Sequence, residues 1–125
     1  MQKTTKNRQK QILGAWGEDQ AAKYLISRGF AIVARNHRTP EGEIDLIALK
    51  DGQLVFVEVK TRANLQSGYP EESVTETKLE HMLSAAEYYL ESHPEYADDW
   101  RVDVIAVTGV LNSQNPQIEW FENAA

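Results

Sequence analysis

The residues best equipped for chemistry are Asp45, Glu58 and Lys60, two carboxylates and an amine set in apolar runs on either side of Asp51-Gly52. Asp-Gly between strand-like segments is the strongest short-range sign of a two-residue hairpin. If Lys50 faces Gln53 across that turn, counting outward sets Asp45 opposite Glu58 and Glu43 opposite Lys60. Side chains alternate along a strand, so Asp45, Ile47, Leu49, Leu54, Phe56, Glu58 and Lys60 share one face. Ile44, Leu46, Ala48, Val55, Val57 and Val59 share the other, which is wholly apolar. Opposed carboxylates repel and destabilise a sheet, so the pair calls for positive charge. Lys60 supplies one such charge. A hard divalent cation is the simplest way to hold both acids ionised, and Mg²⁺ fits best because it takes one or two carboxylates and keeps waters for a phosphate-bearing substrate. The competing reading makes Lys60 a salt-bridge partner of Glu43 or Glu58 at the sheet edge, a kind of contact that is common and weak. Against it stands the joint placement of three charges on one face beside a continuous apolar layer.

The elements that must position these groups follow from periodicity. Residues 1 to 11 are polar, basic and without period, and read as a flexible N-terminal arm or the frayed start of a helix. Leu13, Trp16, Gly17, Ala21, Tyr24 and Leu25 then recur at helical spacing, with Gly29 as the stop. Residues 30 to 36 predict a first strand, and Thr39-Pro40-Glu41-Gly42 supplies turn chemistry before a second over 43 to 50. A third strand covers 53 to 60, followed by a polar loop over 61 to 72 containing Gly68 and Pro70. Ser73 with Glu76 resembles a capping box for a second helix that carries Leu79, Met82, Leu83, Ala86 and Leu90 and ends before Pro94. Residues 101 to 108 read as a strand covered on both faces, and 117 to 121 as a short edge strand. This order predicts an α/β sheet with helices packed on it.

With 125 residues, 42% hydrophobic and 26% charged, residues 12 to 125 fit one globular domain with a real core. The absence of cysteine excludes a disulfide framework, thiolate catalysis and sulfur-ligated metals, and predicts a cytoplasmic setting. No apolar run is long enough for a signal peptide or a membrane span. Charge is unevenly placed: residues 1 to 62 carry 11 of the 13 Lys and Arg but 7 of the 19 acids, a net +4, against -10 for the remainder. An overall charge of -6 therefore leaves room for one face attractive to a polyanion.

Asp45 followed by Glu58-Val59-Lys60 in the next strand of a hairpin resembles the D…(D/E)xK signature of the restriction-endonuclease-like PD-(D/E)XK nuclease superfamily, including archaeal Holliday-junction resolvases. More narrowly, Gly17-Glu18, Arg35-Asn36-His37-Arg38, residues 42 to 48 (GEIDLIA) and residues 57 to 62 (VEVKTR) are similar to the bacterial YraN-type endonuclease family. The resemblance covers most of the chain and implies a mixed central sheet flanked by helices. It implies a Mg²⁺-dependent endonuclease, with Mn²⁺ substituting, that hydrolyses DNA phosphodiester bonds on branched or structured DNA. Asp45 and Glu58 would bind the metal with the backbone carbonyl of Val59, and Glu18 would add an acidic group. Lys60 would orient or help deprotonate the attacking water. Ile44 stands where a proline often precedes the aspartate in the wider superfamily.

Arg35, Arg38 and Arg62 flank the acidic cluster in sequence, where they could grip phosphates, and Lys78 could point to substrate or pair with Glu71 or Glu72. The arm from Lys3 to Lys10 is a second phosphate candidate. Asp103 reads as a strand-end group or a partner for Arg101 or a site lysine, with a structural role preferred, the three histidines as caps or surface groups, and Trp16, Trp100 and Trp120 as core or edge aromatics. No sequence-reading module is evident, so the expected partner is DNA recognised by shape and backbone, with a homodimer as one assembly and no membrane. The alternative function is a non-catalytic nucleic-acid-binding or protein-interaction module that keeps the fold, a reading favoured by the net acidity.

Overall fold

Asp51 and Gly52 both hold positive φ, 51° and 81°, as a two-residue turn matched to strand twist requires. They join β2 (Gly42–Lys50) to β3 (Gln53–Arg62) in the expected register, from Lys50 opposite Gln53 to Leu46 opposite Val57. The computed structural model describes residues 2–64 and 75–125, with side chains from residue 7 onward. The other strands are β1 (Ala31–Thr39), β4 (Trp100–Thr108) and β5 (Gln117–Phe121), and all five form one sheet in chain order. Helix α2 (Glu76–Ser92) lies between β3 and β4 in sequence, and that pair alone runs parallel. Parallel neighbours need such a crossover, whereas the antiparallel pairs are joined by turns. The result is the mixed α/β sheet with two flanking helices that the sequence predicts.

Both sheet faces are covered. On one, Ala21, Ala22 and Leu25 of α1 (Gln2–Ser27) pack on Leu46, Ala48, Val55, Val57, Ile105 and Val107. On the other, Met82, Ala85, Ala86, Tyr89 and Leu90 of α2 pack on Ile47, Leu54, Phe56 and Val102. Two-sided burial explains why β3 and β4 read as nearly continuous apolar runs. Among the described residues no helix is long and apolar enough to cross a membrane.

Four differences from the sequence reading have local causes. Helix α1 begins at Gln2, so of the two readings of residues 1 to 11 its backbone follows the helix start and not the arm; Gln, Lys and Arg favour helix without leaving an apolar period to read. Strand β1 continues to Thr39, where a two-residue turn over Pro40 and Glu41 is held by the Thr39 hydroxyl donating to the Gly42 carbonyl at 2.7 Å. The cap of α2 is Thr75, whose hydroxyl accepts from the Lys78 N–H at 3.2 Å; the expected cap Ser73 and the loop glycine and proline, Gly68 and Pro70, lie outside the described residues. Finally, Ile44 packs on the α2 side with Ile47 and not with Leu46, so strict alternation breaks at Asp45. Asn36, between the β1 residues paired with Leu46 and Ile44, sits at φ 50°, a left-handed kink that asparagine tolerates.

Gly17 is where α1 crosses β3. A Cβ built there would lie 2.7 Å from Thr61 Cγ2 and 2.8 Å from Thr61 Cβ, with Oγ1 closer still. Gly14, one turn earlier, has nothing within 4 Å of such an atom. Gly17→Ala is therefore expected to cost about 1–3 kcal/mol in urea unfolding by overpacking. Gly14→Ala should be neutral or stabilising by up to about 1 kcal/mol, the ordinary gain of alanine in a helix. Equal effects of the two would mean that the α1–β3 approach is not close.

Candidate functional site

The sheet forks where β3 exchanges neighbours. Its pairing with β2 ends at Leu46–Val57, while its pairing with β4 continues to Arg62–Thr108. Asp45 and Glu58 are thus not a ladder pair, and the strand partner of Glu43 is Arg38 and not the expected Lys60. A buried N–H without an acceptor is costly. At the fork the Val59 N–H donates to Asp45 Oδ2 at 2.8 Å, so a side chain takes over where β2 backbone leaves off.

Asp45 and Glu58 nevertheless converge. Burial pushes the Asp45 carboxyl up to about 8; the Glu58 charge adds to this, the Val59 hydrogen bond opposes it, and the Glu18 charge and a hydrogen bond with Glu58 contribute further. Two carboxyl groups within one hydrogen bond of each other behave as a pair that holds a proton in the absence of another cation. The expected counter-ion, Lys60, is not the one used. Lys78 Nζ lies 2.8 Å from Glu58 Oε1, reaching from the first turn of α2. Lys60 is pushed below its ordinary pKa, first by burial and then by the charges of Lys78 and Arg62, with Glu58 opposing.

Glu18, one residue beyond the Gly17 crossing, completes the acidic group. Its pKa is raised by burial and by Glu43 and Glu58, against the lowering hydrogen bond of Asn36. With its amide turned so that nitrogen meets oxygen, Asn36 donates to Glu18 Oε1 and Glu43 Oε1, both at 3.0 Å. The sequence offers Glu43 only as a partner for Lys60 and gives Asn36 no separate role; its signal is an asparagine among the charged residues at the end of β1. Among the described residues, no three Asp, Glu, His or Cys form a ready set of metal ligands. The donor set that does fit a cation is the Asp45–Glu58 pair, since Mg²⁺ is commonly held by two carboxylates with water completing its shell.

Two clefts meet at Lys78. One, of about 310 Å³, is acidic and lined by Glu41, Glu43, Asp45, Glu58, Lys78 and His81. The other, of about 440 Å³, is basic, with Lys10, Lys60, Arg62 and Lys78 around Glu18 and Val59. Of the four residues expected to grip phosphate, Arg62 and Lys78 line these clefts. Arg35 instead pairs with Asp19 at 3.4 Å and the exposed Arg38 with Glu43 at 3.7 Å. Asp103 is structural as expected: fully buried, it accepts from Arg101 Nε at 3.1 Å, Trp120 Nε1 at 2.8 Å and the Asn123 N–H at 2.8 Å. His37 and His93 pack on Tyr89, away from a ligand role.

A five-stranded mixed sheet between two helices, with an acidic pair at its fork, is consistent with a restriction-endonuclease-like fold. Residues 17–107 match the family model described as "Uncharacterised protein family UPF0102", and the chain belongs to that family. It is 48% identical over 116 residues to a UPF0102 protein of Syntrophotalea carbinolica, 93% of each chain. It is 42% identical over 108 residues to one of Roseiflexus castenholzii, spanning 86% of this chain and 87% of the relative. The matched segment opens at Gly17, the residue that brings α1 onto β3.

A carboxyl raised by folding binds a proton that the unfolded chain releases, so its effect on stability is absent below the unfolded pKa and grows unfavourable as pH rises toward the folded one. For Asp45 that window runs from the ordinary 3.8 to about 8. In EDTA, Asp45→Asn should therefore melt higher than wild type, by more at pH 8 than at pH 5. The gain at pH 8 should be on the order of a few kcal/mol. Asparagine keeps an acceptor for Val59 and a donor for Glu58. An equal or lower melting temperature at pH 8 would show that the pair is not repulsive in the metal-free fold.

Proposed function

We propose that this protein is a divalent-metal-dependent endonuclease that hydrolyses DNA phosphodiester bonds, acting on branched or otherwise structured DNA. The observation that carries the reading is the convergence of the Asp45 and Glu58 carboxyl groups at a sheet fork, with Lys60 two residues beyond Glu58 on the cleft wall. Asp45 and Glu58, with the Val59 carbonyl, would hold Mg²⁺, for which Mn²⁺ would substitute, and Glu18 lies within electrostatic reach of Asp45. When bound, the cation supplies Lewis acidity and a water of lowered pKa. Lys60 would orient the attacking water and stabilise charge that develops on the scissile phosphate; its partial burial makes that charge count for more than in bulk solvent. The placement within the PD-(D/E)XK nucleases rests on this site together with the D…ExK spacing. Recognition would go through backbone phosphates and DNA shape.

A second reading, a nucleic-acid-binding or protein-interaction module without catalysis, draws on the absence of a ready three-ligand set among the described residues. A panel of four-way junction, flapped, single-stranded and duplex DNAs incubated with Mg²⁺ or Mn²⁺ separates the two. The expected outcome is cleavage of at least one structured substrate, reduced about 10²-fold or more in Lys60→Ala, the usual weight of a residue that handles the nucleophile's proton. No cleavage of any substrate with either metal would leave the module reading standing.

A further inference from the structure

The acidic and basic clefts share one side chain, and its position differs from that of every other cation in the site. Lys78 lines both clefts, and its amine rests on Glu58 Oε1 at 2.8 Å. Its side chain is 43% exposed, while its backbone is fixed by the Thr75 cap. A lysine stem of four methylenes can redirect its ammonium without moving the helix that carries it. On the basic side wait Lys10 of α1 and Lys60 and Arg62 of β3.

A divalent cation held by Glu58 and the Lys78 ammonium would compete for one carboxylate and repel each other. Displaced toward the basic cleft, Lys78 would join Lys10, Lys60 and Arg62 beside the single carboxyl of Glu18, an arrangement that a bound anion favours. Each binding event therefore removes an obstacle to the other. We propose that the basic cleft takes a backbone phosphate of nucleic acid, and that Lys78 couples its occupancy to that of the cation site, as counter-ion to Glu58 when the cation is absent and as phosphate ligand when it is present. This rests on the reading of Asp45 and Glu58 as a cation site. Such coupling is reciprocal and is carried by one side chain.

The test measures binding and not turnover. Ca²⁺, which takes the same oxygen ligands, is titrated calorimetrically into the protein alone. A fluorescein-labelled duplex with a single-stranded flap is then titrated by anisotropy in EDTA and in Ca²⁺. Wild type should bind the DNA at least about 5-fold more tightly with Ca²⁺, the lower end of ordinary coupling. Lys78→Gln should bind Ca²⁺ alone as tightly as wild type or more so, and lose the Ca²⁺-dependent gain in DNA affinity. Lys78→Arg should keep the gain, as should Glu87→Gln on the exposed face of α2. If Lys78→Gln keeps the full gain, or binds Ca²⁺ more weakly than wild type, the coupling role is overturned. Wild type that binds Ca²⁺ without any gain in DNA affinity overturns the coupling alone. Wild type that binds neither Ca²⁺ nor Mn²⁺ overturns the cation site and the coupling with it.

Discussion

β3 must hydrogen-bond to an antiparallel strand on one edge and a parallel strand on the other, and it outlasts the first by five residues, since its last pair with β2 is at Val57 and its last with β4 at Arg62. Everything at the site follows from that inequality. Past Val57 one edge of a largely buried strand has donors and no backbone acceptor. An apolar side chain on β2 would pack well there but could not take the Val59 N–H, whereas the Asp45 carboxylate does so at 2.8 Å. The cost is a carboxyl brought out of water beside Glu58, a cost that appears as its raised pKa. The polar site is thus where the sheet finishes its hydrogen bonding and where ionising both acids is costly.

The acids of the site are held by neighbours from three separate elements. Lys78 comes from α2, the Val59 N–H from β3 and the Asn36 amide from β1, with Glu18 brought in on α1 by the Gly17–Thr61 approach. The apolar layers on both faces of the sheet hold those elements at fixed separations. A cation site assembled from side chains on strands and helices is more rigid than one carried on loops, and it relaxes less when the ion is absent. The cost of ionising both acids is therefore built into the fold.

The hairpin was legible because its determinants are local. Asp51-Gly52 and period-two alternation suffice for the register from Lys50–Gln53 to Leu46–Val57, and the bounds of β5 agree with its flanking turn residues. What the sequence concealed depends on contacts between distant segments. The end of β2–β3 pairing is decided by β4, which is some forty residues away and joined through α2. The break in alternation at Asp45 reflects Asn36 at positive φ on the neighbouring strand, and β1 also shifts register between Ile32 and Ala34. Lys78 as the partner of Glu58 could not be read either. The sequence offers Glu71 or Glu72, which lie outside the described residues, as its partner, and only the docking of α2 brings it to Glu58 of β3.

The same distinction between sequence order and space resolves the uneven charge. Within the basic first half of the chain, Asp19 answers Arg35 and Glu43 answers Arg38. One cleft brings Lys10, Lys60 and Arg62 together with Lys78 from the acidic half, around Glu18. At physiological salt, charges farther apart than about 8 Å are largely screened, so a phosphate at that cleft responds to those four residues far more than to the net charge of -6. An acidic protein can therefore hold a polyanion at one place and be repelled from it elsewhere. The adjoining acidic cleft sharpens the contrast, since a phosphate can approach it closely only when a cation is there to meet it.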